Sequence, residues 1–341
     1  MPRIVTFGEI MLRLATPGNL RFNQTNSLEM TFGGGEANVA VSAVNYGLEG
    51  RFVTRLPKND IAQTAIQQLR GLGVDTNHIV RGGERIGIYF LETGAAQRAS
   101  TVTYDRAGSS ISTARSSDFN WDKAFEGADW FHFTGITPAL GETAATATLD
   151  AAKAAKEKGL TVSVDLNFRK KLWTSAKAKE VMTTLMPYVD VCIANEEDAE
   201  KVFGISASGT EIEHGKIDHQ RYIEVAEKLT AAFKFKGVAI TLRESFSASH
   251  NGWSGLYYTD GKAHFSKRYD IHPIVDRVGG GDSFAGGLIY ALAVKKEPQA
   301  AIEFAAAASC LKHSISGDFN RVPLSDVEAL VGGDGSGRVQ R

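Results

Sequence analysis

Cysteine is scarce in this 341-residue chain: Cys192 and Cys310 are the only two. That excludes a disulfide framework and a cysteine zinc cage, and it fits a reducing compartment, so a cytoplasmic protein is expected. An excess of charge of one sign is lacking too, with Lys+Arg 38 against Asp+Glu 39 and a net charge of −1. Without a basic field there is no general affinity for nucleic acid or an anionic membrane surface, and recognition must be local. Long apolar runs are absent; the stretch from Phe284 to Val294 is too short to cross a bilayer and has helix-core spacing. Met1-Pro2-Arg3-Ile4-Val5-Thr6-Phe7 enters a strand-like pattern directly, without the basic-then-apolar layout of a signal peptide. The eight histidines form no HExxH pair, and His214 and His219 lie in a polar stretch at the wrong spacing, so a protein-caged transition metal is not expected. There is no GxxxxGK[ST] loop, and no GxGxxG follows the first strand-like run, which argues against a P-loop enzyme and a nicotinamide-dependent oxidoreductase.

What is present is an ordinary globular composition, 43% hydrophobic, in a chain long enough for one large domain with a sub-domain. Short β-rich runs at 129–133, 161–165, 189–193 and 237–241 alternate with helical patterns such as Glu142 to Lys158 and Tyr222 to Phe233. That alternation predicts an α/β fold with a central, mostly parallel sheet flanked by helices. Ligands of such sheets bind beyond the carboxyl ends of the strands, which directs attention to Asp165, Asn167, Arg169, Asn195 and Glu197. Gly87 to Glu92 and Ser100 to Tyr104 read as a hairpin that, with Ile10 to Ala15, can form a small sheet covering a ligand. The expected organisation is one domain over residues 1–331 with a discontinuous β lid at about 10–32 and 86–106. Residues 332–341 read as a flexible tail and Ser206 to Gln220 as a surface loop.

The most informative run is Val278-Gly279-Gly280-Gly281-Asp282-Ser283-Phe284-Ala285-Gly286-Gly287. Glycines let backbone N–H groups turn inward, and the first turn of a following helix adds unpaired donors and partial positive charge, a nest for anionic oxygens. A carboxylate there repels a resting phosphate, so its use is to take a proton from an attacking hydroxyl. Phosphoryl transfer is the chemistry suggested. Alone, the run serves equally as a tight turn with an acid favoured by the helix dipole.

Gly33-Gly34-Gly35-Glu36-Ala37-Asn38-Val39-Ala40, paired with Gly279-Gly280-Gly281-Asp282, resembles the two signatures of the ribokinase-like (PfkB) carbohydrate kinases, over roughly residues 3 to 330. The finer match is to members acting on 2-keto-3-deoxygluconate. It rests on 8–13, 104–106, 165–169 and 311–320. The resemblance implies a ribokinase-like fold with a small β-sheet lid, through which a homo-oligomer can form, and ATP-dependent phosphorylation of a small sugar acid. Asp282 would be the base, with Gly279, Gly280 and Gly281 as the anion hole; Gly280 stands where the family usually has alanine, a change expected to be tolerated. Gly34 and Asn38 would meet sugar hydroxyls, while Tyr89, Tyr104, Arg106 and Arg169 would line the sugar end. The two arginines would pair with a keto acid's carboxylate, a partner that neutral fructose or ribose lacks. The nucleotide would meet Asn195, Thr241, Arg243, Lys312 and Asn320, although Arg243 replaces the glycine of a Thr-x-Gly loop. Mg²⁺ is expected with ATP, supported indirectly by Glu197 or Asp198, and Asp276 marks where many relatives bind K⁺. The alternatives are a neutral-sugar kinase and a non-catalytic sugar or nucleotide sensor.

Overall fold

The computed structural model describes residues 1–195, 197–207 and 218–335. Most of the expected 206–220 loop, His214 and the end of the tail therefore lie outside the described residues.

The main sheet is built from β1 (Arg3–Phe7), β4 (Glu49–Val53), β9 (Trp130–Thr134), β10 (Thr161–Asp165), β11 (Val191–Ala194), β12 (Gly237–Ser247), β13 (His250–Thr259), β14 (Lys262–Phe265) and β15 (Tyr269–Ile271). Its order is β14-β13-β12-β11-β10-β9-β1-β4, with β15 added beside β13. Strands β4 to β12 along this path run parallel, and the hairpin strands β13 to β15 are antiparallel. Parallel strands buried on both faces need apolar side chains at successive positions, and β9 provides them. Phe131 enters a core with Phe7, Val162 and Val164, whereas its neighbour Trp130 enters the opposite core with Ile4, Ile193 and Phe284. The alanine stripe of helix Glu142–Glu157 packs on the first face; helices Gly35–Asn45, Gly280–Ala293 and Pro298–Lys312 cover the second.

A separate sheet has the order β3-β2-β7-β8, from β2 (Met11–Ala15), β3 (Glu29–Gly33), β7 (Gly87–Glu92) and β8 (Thr101–Asp105). The predicted hairpin is β7 and β8, in which Tyr89 faces Tyr104 across the ladder. Two short strands, β5 (Arg55–Leu56) and β6 (Val80–Arg81), pair with each other.

One boundary matters for the site. The strand expected to stop near Thr241 runs on to Ser247, because the whole segment pairs with β13 and Arg243 sits opposite Trp253. Thr241 to Ser245 is therefore strand, not the nucleotide loop that the sequence suggested: an L-residue in place of glycine continues a ladder readily.

Candidate active site

The carboxyl ends of β10 and β11, the middle of β12, the starts of helices Gly35–Asn45 and Gly280–Ala293, and the inner face of the smaller sheet surround a cavity of about 410 Å³. Into it face Gly34 and Asn38 from the first glycine motif and Gly279, Gly280, Gly281 and Asp282 from the second. Asn38 joins the two: its Nδ2 donates to Asp282 Oδ2 at 2.6 Å, and its Oδ1 accepts from the Gly34 N–H at 3.3 Å.

The second motif forms as its residues dictate. Gly279 caps the helix in the left-handed region (φ 82°), where a side chain would also strike the Asp318 carbonyl. The Gly280 N–H donates to Arg277 O at 3.3 Å and the Ser283 N–H to Gly279 O at 2.9 Å, and the first turn of a helix is a favourable place for an anion. A Cβ on Gly280 would come within 2.7 Å of the His313 ring, which occupies the space the absent alanine methyl would need. The imidazole is held there by Ser309 O at 2.7 Å and packs beside Trp253, and burial lowers its pKa to about 4. Glycine is thus accommodated here with His313 filling the space, and it is the alanine that would crowd the ring. A Cβ on Gly281 would meet nothing, so this residue borders open cavity.

Burial raises the pKa of Asp282; the Asn38 hydrogen bond opposes the shift, Asp318 adds to it, and Arg169 and Lys312 counter it. Asp165 is held well above the ordinary range by burial, with Asp198 and Asp282 adding repulsion. Its Oδ1 accepts from the N–H of Asn167, a residue in the left-handed region (φ 40°), and this tight turn presents Arg169 to the cavity. The Asp198 carboxylate accepts from Phe168 N at 3.1 Å and Asn195 N at 3.2 Å, locking that turn to the start of helix Asp198–Phe203. Asn195 lines the cavity, but its Oδ1 caps the same helix through the Glu197 and Asp198 amides.

Tyr89, Tyr104, Arg106 and Arg169 line the cavity, and Thr241 and Arg243 face it from β12. Arg106, expected to meet a substrate carboxylate, already has a carboxylate partner within the chain. It is buried, and its Nε donates to Glu9 Oε2 at 2.7 Å while its Nη2 makes a shorter bond to the same oxygen. Those bonds leave the Nη1 edge for a ligand. Three other expectations need correction, for Asn320, Lys312 and Asp276, and the alternative between Glu197 and Asp198 narrows. Asn320 is fully buried away from the cavity, donating to the Tyr46 hydroxyl at 2.6 Å and accepting from Val322 N. Lys312 lies beneath the site with Nζ on Ile315 O, wholly inaccessible, so it acts on the site only through its field. Glu197 is exposed, leaving Asp198 as the carboxylate of that pair that faces the cavity. Asp276 does not fit a K⁺ site: Oδ2 accepts from Arg13 Nη2 at 2.6 Å and Gly317 N at 3.0 Å, and Oδ1 from Val278 N at 3.0 Å.

Sequence reasoning missed Arg277, His313 and Asp318, all of which face the cavity. Arg277 was the detectable one, a cation close before the glycine run; its guanidinium donates to the Ser247 and Ala248 carbonyls, and burial and nearby Arg243 lower its pKa. Arg243 and Arg277 thus offer positive charge beside the helix N-terminus, which suits a polyphosphate. A Mg²⁺ bound mainly by phosphates needs only one or two carboxylates, and Asp165 and Asp198 fit that need.

A family model described as pfkB family carbohydrate kinase matches residues 1–323. The chain is 31% identical over 338 residues to a 2-dehydro-3-deoxygalactonokinase of Haloferax volcanii, covering 98% of both chains. It is 28% identical to a 2-dehydro-3-deoxygluconokinase of Thermoproteus tenax, covering 95% of this chain and 92% of that one. Among solved structures, the 2-dehydro-3-deoxygluconokinase of Thermotoga maritima superposes with a TM-score of 0.94 at 53% identity, covering 98% of this chain and 100% of that one. An Escherichia coli protein solved with ATP and Mg²⁺ shares the fold, with a TM-score of 0.78 at 17% identity over 97% of this chain and 99% of that one.

Proposed function

Because this chain belongs to the pfkB family of carbohydrate kinases, we propose that it transfers the γ-phosphoryl group of ATP to the terminal hydroxyl of 2-keto-3-deoxygluconate, giving the 6-phosphate. The observation that supports this best is the Asn38–Asp282 contact, which sets a carboxylate between the sugar-side and phosphate-side glycine motifs. Asp282 takes the hydroxyl proton as the sugar oxygen forms its bond to the γ-phosphorus and the bond to the ADP oxygen breaks. Its raised pKa brings it closer to the working pH of a general base. The amides at the start of helix Gly280–Ala293, with Arg243 and Arg277, hold the charge on the moving phosphoryl. Asp165 or Asp198 would stand behind a Mg²⁺ brought in by the phosphates, and that ion would supply charge neutralisation.

The substrate carboxylate is met by Arg169 and by the free edge of Arg106. The names of the relatives from Haloferax, Thermoproteus and Thermotoga support a 2-keto-3-deoxy sugar acid and leave two epimers in view. A neutral sugar is the second reading, favoured by one observation: Glu9 already neutralises Arg106. The test is ADP release with Mg-ATP against 2-keto-3-deoxygluconate, its galacto epimer, fructose, ribose and adenosine. Preference for either acid sugar supports the carboxylate reading; a higher kcat/KM for fructose or ribose overturns it, and no ADP release with any of them overturns the proposed reaction.

A further inference from the structure

Arg13 leaves β2 of the smaller sheet and enters the main body, where it is 4% exposed. Its Nη2 donates to Asp276 at 2.6 Å and its Nη1 to Asp318 at 2.8 Å. Asp318 also accepts from the Tyr89 hydroxyl at 2.5 Å, so β2 and β7 reach the same carboxylate. Both acids touch the phosphate side. Asp276 receives the Val278 amide one residue before Gly279, and Asp318 packs with its carbonyl against Gly279 and its carboxylate against Gly33 of the first motif. One guanidinium therefore ties the smaller sheet to both glycine motifs, and buried Lys312 adds the second cation that balances the two acids.

We propose that Arg13 is a positioning residue for phosphoryl transfer, a built-in cation that fixes the loop entering the glycine run and makes turnover independent of any monovalent cation. A loop whose carboxylate lies beside an anion hole needs a counter-charge to hold its shape. Where that charge is a covalently attached guanidinium with two donors in a rigid fork, a diffusible ion has neither a vacant oxygen pair nor a role. The proposal rests on kinase activity and not on which sugar is accepted.

The experiment measures kcat, sugar KM and melting midpoint for wild type, Arg13→Gln and Arg13→Lys in potassium, sodium and tetramethylammonium chloride at equal ionic strength. For wild type, kcat is expected to agree within about twofold and midpoints within about 2 °C across the three salts. Arg13→Gln should lose at least about tenfold in kcat with little change in KM, as befits a transition-state effect, and Arg13→Lys should recover a clear part of that loss. A merely structural arginine would lower the midpoints of both variants without separating their kcat values, and that result overturns the proposal. So does fivefold potassium activation of wild type. Should Arg13→Gln fail to fold, the wild-type salt series decides. Should no sugar on the panel turn over, the substrate assignment fails separately, and the midpoints of wild type in the three salts decide: equal values support the built-in cation, and stabilisation by potassium of more than about 3 °C refutes it.

Discussion

At the scale of single residues the site trades stability for chemistry. Asp282 is forced toward protonation by burial, so at neutral pH its ionised form is less comfortable in the folded chain than in water. Asp282→Asn keeps an acceptor for the Asn38 amide and removes that penalty. It should lower kcat by about 10²–10⁴-fold while raising the melting midpoint, read by steady-state kinetics and calorimetry on the same preparation. The sign is fixed by linkage: a raised carboxyl pKa favours folding below the unfolded value and is lost as pH climbs through the folded one. Arg106 carries a different lesson. Replacing it with alanine strands the Glu9 carboxylate, which is 2% exposed, so a loss of stability will accompany any loss of affinity. Glu9→Gln with Arg106→Ala separates the two. The double variant should regain folding yet keep a sugar-acid KM raised about ten- to a hundredfold, the worth of a hydrogen bond to a charged group. Unchanged KM in that variant removes Arg106 from carboxylate recognition.

At the scale of elements the glycine run behaves as three different residues. Gly279 needs its left-handed backbone, Gly280 needs room for His313, and Gly281 faces space. Gly280→Ala should therefore destabilise by about 1–3 kcal/mol, as overpacking does, and His313→Ala should relieve most of that cost in a double-mutant cycle of chemical denaturation. Gly281→Ala should fold normally and lose activity, since its methyl would project where the phosphoryl group must come; wild-type turnover by a folded Gly281→Ala would show that no anion approaches there. None of this division was legible in the sequence, where three consecutive glycines look alike. The strand β12 shows the reverse case. Its apolar start was readable, but its continuation through Arg243 was decided by pairing with β13, a partner that local pattern does not announce.

At the scale of the whole molecule, Glu36 couples the first glycine motif to the middle of the sheet. Its Oε1 accepts from the Thr134 amide at 3.0 Å, the Thr134 hydroxyl at 2.8 Å and the Thr137 hydroxyl at 2.7 Å, and burial raises its pKa to about 7 against those bonds. Between the ordinary value of 4.5 and about 7 the folded chain holds a proton that the unfolded chain has released, so stability falls as pH rises through that window. Measured by denaturant melts, the stability of Glu36→Gln relative to wild type should grow across that window, by at most on the order of 3 kcal/mol, and level off above it; a pH-independent difference would show that Glu36 does not titrate there. The amino-acid sequence by itself determined the fold class, because a parallel sheet needs β-rich runs alternating with helices and both leave periodic apolar signatures. It also determined that Asp282 stands in the first turn of an apolar helix behind glycines, because glycine and acid adjacent to an apolar run express local backbone chemistry. Only tertiary structure decided that Asn38 meets Asp282 across 244 residues of chain, that Glu9 holds Arg106, and that Arg13 stands against Asp276 where a free cation was expected. Those are pairings between charges and amides whose partners lie far away in sequence, and a residue's type states what it can bond but not which distant group the fold will bring to it.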